Sequence, residues 1–142
     1  MIITTARKPS SKTRTFCRHL SRFTGWEYIN RGKSSLSAFA DEPFLLIGES
    51  KGNPWSFNFF IDGRCILSIH ANVSLLKETK PGQEPIIEGN TPLALALSKV
   101  TGLRIGGSSE RVIRVDDSIG FLDRDVPYIV LKVLERRGEV IV

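Results

Sequence analysis

A mixed-sheet α/β fold of two lobes is the architecture this 142-residue sequence predicts. Three observations point there. The first fifty residues alternate strand and helix patterns as β-α-β-α-β, which argues for a layer with at least some parallel strands. Two long strand-like segments then meet at Asp62-Gly63, a two-residue hairpin signal. A capped helix at 92–101 finally leads into three strand-like segments that finish the chain.

Ile2–Thr5 reads as a short strand. Pro9-Ser10-Ser11 then supplies helix-start chemistry, and Phe16, Leu20 and Phe23 recur at i, i+4 and i+7, the apolar stripe of an amphipathic helix that Gly25 closes. Residues 26–29 are a second strand, 30–35 a tight loop, and 35–40 a short helix with Leu36 and Phe39 facing inward. Residues 44–47 form a buried strand ended by Lys51-Gly52-Asn53-Pro54. Residues 56–61 and 64–75 pair as a hairpin. On its second strand Cys65, Leu67, Ile69, Ala71 and Val73 share one face, and Ser68, His70, Asn72 and Ser74 the other. Segment 77–90, rich in Pro, Gly and charge, reads as a loop crossing between two lobes of about 1–76 and 91–142. Thr91 caps a helix with Pro92 at its first position and Gly102 at its end. Residues 104–109 are a Gly/Ser loop, and 111–115, 119–122 and 128–136 are strands. No letter-level repeat stands out.

Composition is ordinary for a globular chain, 41% hydrophobic and 25% charged, and its length suits one core rather than two. No apolar run approaches the ~20 residues of a membrane span. The N-terminus turns basic at once instead of forming a signal sequence. Two cysteines without C-x-x-C spacing argue against a disulfide framework, so the expectation is a cytoplasmic protein with no membrane association. The net charge of +5 conceals an asymmetry. Residues 1–33 hold eight Lys and Arg against Glu27 alone, a net +7; the remaining twelve face fourteen acids, a net −2. Basicity concentrated at one end favours a polyanionic partner.

Gly32-Lys33-Ser34 invites comparison with a phosphate loop. The NTPase loop needs G-x-x-x-x-G-K-[ST], with four residues letting backbone N–H groups curl around phosphates. Here Gly25 stands six residues before Gly32 and precedes the strand it should follow, with no strand-borne acid for magnesium. The loop keeps the makings of an anion site: Gly32 permits close approach, Arg31 and Lys33 bring charge, and a helix starting near Ser34 or Ser35 would offer unpaired N–H groups. Taken in isolation, it fits a capped strand-to-helix turn with incidental charges slightly better.

The first helix tips the balance. Arg14, Arg18 and Arg22 stand at i, i+4 and i+8, about 6 Å apart along the axis. Like charges at this spacing cost roughly 0.2–0.5 kcal/mol per pair. Cations in the first turn, Lys12 foremost, oppose the helix dipole by ~0.3–1 kcal/mol each. No carboxylate lies between Met1 and Trp26. Should the first two strands run parallel, 7–12 and 30–34 gather at one sheet edge, where open α/β sheets bind ligands. Several phosphates a few ångströms apart describe a nucleic-acid backbone better than one nucleotide. No catalytic constellation emerges. Cys17 and His19 diverge by roughly 200° around a helix and cannot easily share a metal with Cys65 and His70. Asp116-Asp117 and Asp123-Arg124-Asp125 read as turns and caps. Trp26, Tyr28, Trp55 and Phe60 suit strand packing and are also able to stack on bases.

Thr4–Arg22 ("TTARKPSSKTRTFCRHLSR"), Tyr28–Leu36 ("YINRGKSSL") and Lys51–Phe60 ("KGNPWSFNFF"), in that order and spacing, resemble the Brix-domain family, specifically its short archaeal members. The resemblance covers essentially the whole chain as one Brix domain, most strongly in the first half. It implies a two-lobed α/β fold with internal structural duplication, similar to the anticodon-binding domain of class IIa aminoacyl-tRNA synthetases. It also implies a non-catalytic, cofactor-free ribosome-biogenesis factor that binds ribosomal RNA or its precursor, with assembly proteins as further partners; a monomer is expected. Together with the basic stripe, the motif positions give an expected RNA-binding set of Arg7, Lys8, Ser10, Lys12, Arg14, Arg18, Arg22, Asn30, Arg31, Lys33, Lys51 and Asn53. Arg104, Arg111, Arg114, Lys132, Arg136 and Arg137 are candidates to extend that surface. The eukaryotic C-terminal pattern around Gly-Pro-Arg is met only loosely, by "DRDVPYIVLKVLERR". Two readings of other classes compete: a nucleotide-dependent enzyme built on Gly32-Lys33-Ser34, and a basic module that docks on acidic proteins.

Overall fold

In the computed structural model, which describes residues 1–138, the chain runs β1 (Ile2–Thr5), α1 (Ser11–Thr24), β2 (Glu27–Tyr28), a 3-10 helix (Leu36–Phe39), β3 (Phe44–Ser50), β4 (Asn53–Ile61), β5 (Arg64–Leu75), β6 (Ile86–Glu88), α2 (Pro92–Thr101), β7 (Arg111–Val115), β8 (Ser118–Asp123) and β9 (Val126–Gly138). The strands form one nine-stranded mixed sheet in the order β2-β1-β3-β4-β5-β9-β8-β7-β6. β1 pairs in parallel with both β2 and β3, as the alternating opening predicted, and β3, β4 and β5 continue as an antiparallel meander. Among the described residues no helix is long and apolar enough to cross a membrane.

One core unites both helices with the sheet: Phe16, Leu20 and Phe23 of α1 and Leu93, Leu97 and Val100 of α2 pack among Phe57, Leu67, Ile69 and Leu131. Because successive strand residues point to opposite faces, Ile3 joins this core while Ile2 faces the other way. There it meets Phe39 and Phe44 in a smaller cluster under the 3-10 helix.

The second half repeats the first. β6 pairs in parallel with β7 as β1 does with β3, and Ile105 bridges β6 in parallel as β2 bridges β1. β7, β8 and β9 then form the matching antiparallel meander. The two halves join through the antiparallel pair β5 and β9. The duplication reaches individual atoms at the helix ends. Ser21 Oγ donates to Trp26 O at 2.5 Å, and Ser98 Oγ to Leu103 O at 2.6 Å. Thr24 Oγ1 donates to Leu20 O at 2.8 Å, and Thr101 Oγ1 to Leu97 O at 2.6 Å. Each threonine hydroxyl also accepts the N–H two residues on, and each helix closes on a left-handed glycine, Gly25 or Gly102.

Three expectations change. The repeat is visible in the letters after all, as Ser21-Arg-Phe-Thr-Gly-Trp26 and Ser98-Lys-Val-Thr-Gly-Leu103. Strand β6 forms inside segment 77–90, which was expected to be loop throughout. Three residues between Pro85 and Gly89 are too few to show alternation, yet Ile86 and Ile87 are both buried. The short helix at 35–40 is a single 3-10 turn, and Ser35 makes no side-chain cap bond there.

Candidate nucleic-acid interface

The carboxyl ends of three parallel strands lie on one edge of the sheet, so the segments that follow β1, β2 and β3 are neighbours. After β1 come Arg7 and Lys8, then α1 with Lys12 in its first turn; after β2 come Asn30, Arg31 and Lys33; after β3 comes the turn of Lys51 and Asn53. Arg7, Lys8, Lys12, Lys33 and Lys51 are exposed, and Arg31 is half-buried. Arg14, Arg18 and Arg22 are exposed along α1 and carry the charge about 12 Å down the helix from Arg14 to Arg22. The stripe flanks β2: burial raises the Tyr28 phenol above its ordinary pKa, and the nearby Arg14 and Arg18 charges oppose that rise.

Not every expected residue faces outward with free groups. Ser10 accepts the Thr13 N–H as the α1 cap, and its hydroxyl donates to Gly52 O at 2.6 Å, pinning the start of α1 to the β3–β4 turn. Asn30 Oδ1 accepts from Gly32 N–H at 3.3 Å, Arg31 Nε donates to Ser34 O at 2.9 Å, and Asn53 Nδ2 to Lys51 O at 3.4 Å. Those bonds shape the loops that carry the cations. They also bear on the Gly-Lys-Ser loop. The Gly32 and Ser34 N–H groups are both engaged, the latter by Arg31 O, so two donors a phosphate would need are already turned to the chain itself. Instead of a helix N-terminus with unpaired N–H groups, this loop enters a four-residue 3-10 turn.

One acid that no sequence motif marked approaches the edge. Glu49, near the end of β3, accepts the Ser10 N–H at 2.5 Å and places a negative charge at the start of α1. Burial pushes its carboxyl up. The Ser10 N–H, the Thr13 and Ser10 hydroxyls and the Arg14 charge outweigh that and hold it below the usual carboxylate range. Glu49 relieves the dipole cost of the first turn, but among the described residues it forms no salt bridge. The signal for it was its place at the end of the third parallel strand, two residues before Lys51.

Among the described residues, no salt bridge reaches any of the eight cations of residues 1–33, whose side-chain hydrogen bonds run from Arg14 Nη1 to Pro9 O, Arg18 Nη2 to Thr15 Oγ1 and Arg31 Nε to Ser34 O. The second half behaves differently. Arg114 pairs with Glu88, Arg124 with Glu110 and Arg137 with Glu135. Arg111 is no part of a basic surface: only 3% exposed, it binds Asp123 at 3.0 Å and the carbonyls of Arg22, Phe23 and Lys80. Arg104, Lys132 and Arg136 are exposed.

Beside the cationic edge lies a cleft of about 660 Å³ between the first turn of α1, the β3–β4 turn and the far end of β5. Lys12 and Lys51 stand at it, Phe16 and Trp55 line it, and Asn53 and Asn72 bring amides. Trp55 occupies a β-bulge, since Gly48 pairs with Ser56 and Glu49 with Pro54, leaving Trp55 without a partner in the register.

Known archaeal proteins share this fold. The chain aligns with the crystal structure of Mil, an archaeal Imp4-like protein, at a TM-score of 0.82 and 31% identity, covering 97% of this chain and 99% of that one. A probable ribosomal biogenesis protein from Aeropyrum pernix shares the fold at a TM-score of 0.74 and 20% identity, over 93% of each chain. No family model matches the sequence. Among curated proteins it is 31% identical over 147 residues to a probable Brix domain-containing ribosomal biogenesis protein of Methanothermobacter thermautotrophicus, covering 97% of this chain and 90% of that protein. Proteins of the same description from Archaeoglobus fulgidus and Methanosarcina mazei are 39% and 36% identical over 65% and 68% of this chain; the matches span 62% and 68% of those relatives. The chain belongs to the Brix domain-containing ribosomal biogenesis proteins.

Proposed function

We propose that this chain is an RNA-binding, non-catalytic factor of ribosome biogenesis. It grips ribosomal RNA or its precursor by the phosphate backbone and assists processing or subunit assembly in the cytoplasm. The observation that carries the reading is the contrast in charge pairing. Eight cations crowd residues 1–33 without a salt bridge among the described residues, while in the second half Arg111, Arg114, Arg124 and Arg137 each pair with an acid. Arg7, Lys8, Lys12, Lys33 and Lys51 on the sheet edge and Arg14, Arg18 and Arg22 along α1 supply the phosphate-binding groups; Ser10, Asn30, Arg31 and Asn53 shape the loops that present them. Such groups fix position, and RNA shape or unpaired bases supply specificity. The chain acts as a single two-lobed unit and a monomer, with assembly proteins as further partners.

Engagement of four to six phosphates predicts that log K falls against log salt with a slope of about −3 to −5. Fluorescence anisotropy of a labelled ribosomal RNA fragment across a salt series measures it, and an affinity indifferent to salt contradicts the reading. ATP with magnesium should leave the melting temperature unchanged, because the Gly32 and Ser34 N–H groups are engaged. Tight capture of acidic proteins with indifference to RNA would favour the docking-module reading instead.

A further inference from the structure

We propose that the cleft beneath Lys12 and Lys51 is a seat for one unpaired nucleoside of the bound RNA, with Trp55 as its stacking platform. This rests on the RNA-binding reading above and adds to it a single-strand-specific site. The cleft's 660 Å³ falls within the ~300–1,000 Å³ of ligand pockets. Its lining has the composition a nucleotide needs: aromatic surface from Trp55, amides from Asn53 and Asn72 able to meet base edges, and the ammonium groups of Lys12 and Lys51 for flanking phosphates. No acid lines it. That charge pattern continues the cationic edge and suits a polyanion over a neutral apolar ligand.

The tryptophan is held in place. Its ring stacks on the His70 imidazole at 4.1 Å between centroids and 22° between planes. His70 Nδ1 is in turn 3.4 Å from Glu135 Oε2. A bulge inserts one residue into one strand and re-aims its side chain, and such insertions concentrate beside functional sites. Here the inserted residue is Trp55. A platform fixed before binding loses little freedom when a base lands on it. Bases inside an A-form duplex have both faces covered by their neighbours, so only a splayed-out base can use this surface.

The test compares a ten-residue oligouridylate with an RNA duplex of equal length, using the full chain. Stacking on one aromatic side chain is worth ~1–3 kcal/mol, so Trp55→Leu should weaken oligouridylate binding by about 5- to 150-fold and leave duplex binding within about two-fold. Trp55→Phe should keep most of the single-strand affinity. Equal loss for both RNAs, or loss for neither, overturns the seat while the phosphate reading stands. Should Trp55→Leu fail to fold, Trp26→Phe leaves Trp55 as the lone tryptophan. Oligouridylate must then quench its emission saturably and the duplex must not; emission unmoved by oligouridylate overturns the proposal. If the unmodified chain binds neither RNA, the broader function has failed and the seat falls with it.

Discussion

Arg111 Nη1 donates to the Phe23 carbonyl at 3.0 Å while its guanidinium lies 4.9 Å from the centroid of the Phe23 ring. A cation from the second half thus closes the carboxyl end of the helix that carries the basic stripe, where the helix dipole favours positive charge. The same group holds Asp123 and the Lys80 carbonyl, so α1, the segment leading to β6 and the β7–β8 hairpin meet at one side chain.

Removing that side chain should be severe. Arg111→Met leaves Asp123 with only the 3.8 Å contact to the exposed Arg124 and several carbonyls without donors, and breaking a buried pair in this way costs about 3–5 kcal/mol. Urea unfolding followed by circular dichroism should show the loss. Arg111→Lys should recover little of it, because a single ammonium cannot reproduce the planar fork that reaches four acceptors. A change under ~1 kcal/mol would mean the junction contributes little net stability.

The twin helix ends predict twin costs. Gly25 and Gly102 have φ of 80° and 74°, and an added Cβ would meet nothing within 4 Å at either. The penalty for alanine is therefore backbone strain alone, roughly 1–2 kcal/mol at each site. Gly25→Ala and Gly102→Ala should lower stability by similar amounts, and the double variant by their sum. A clear inequality would show that the two caps are not energetically equivalent.

That pair of caps also shows what the letters disclosed and what they withheld. Helix limits were legible because Ser10, Thr91, Gly25 and Gly102 act locally, through a hydroxyl on an N–H or a left-handed φ. The cationic edge was legible because parallel β1, β2 and β3 place their following loops together. The duplication, implied by the family resemblance, was legible in the letters only in part. α1 has fourteen residues and α2 ten, so equivalent positions fall out of step, and only the six-residue cap segment keeps its spacing. The partners of Arg111 were hidden for another reason. Besides Asp123 they are carbonyls, two of them 88 and 89 residues away, and no side-chain pattern marks a carbonyl that lacks a donor.

His19 makes stability depend on pH. Its Nδ1 accepts the Thr79 N–H at 3.1 Å, which requires a neutral ring and ties the segment after β5 to α1. Burial lowers its pKa from 6.5, and Arg22 and Arg18 lower it further against the opposing pull of Glu78. The unfolded chain therefore takes up the proton first as pH falls. The His19 contribution is complete above about 6.5, declines as pH drops from there, and is fully lost below the folded value. Melting temperatures measured between pH 8 and 5 should show this decline, and His19→Gln should remove that part of it. An unchanged profile in the variant would assign the pH dependence to other groups.

The duplication makes the charge asymmetry a matter of function rather than of fold. α2 performs the same architectural task as α1 with Lys99 as its lone cation, so the unit folds without a basic stripe. Arg14, Arg18 and Arg22 then add two like-charge i, i+4 repulsions worth roughly 0.2–0.5 kcal/mol each, with no salt bridge among the described residues to offset them. Replacing all three by Gln should leave the melting temperature unchanged or raise it slightly, while the salt slope of RNA binding falls by about 3, one for each phosphate that no longer meets a guanidinium. The exposed bonds of Arg14 to Pro9 O and Arg18 to Thr15 Oγ1 are too weak to reverse that balance. A fall of many degrees would instead make the stripe structural, and the strongest argument for a polynucleotide partner would go with it.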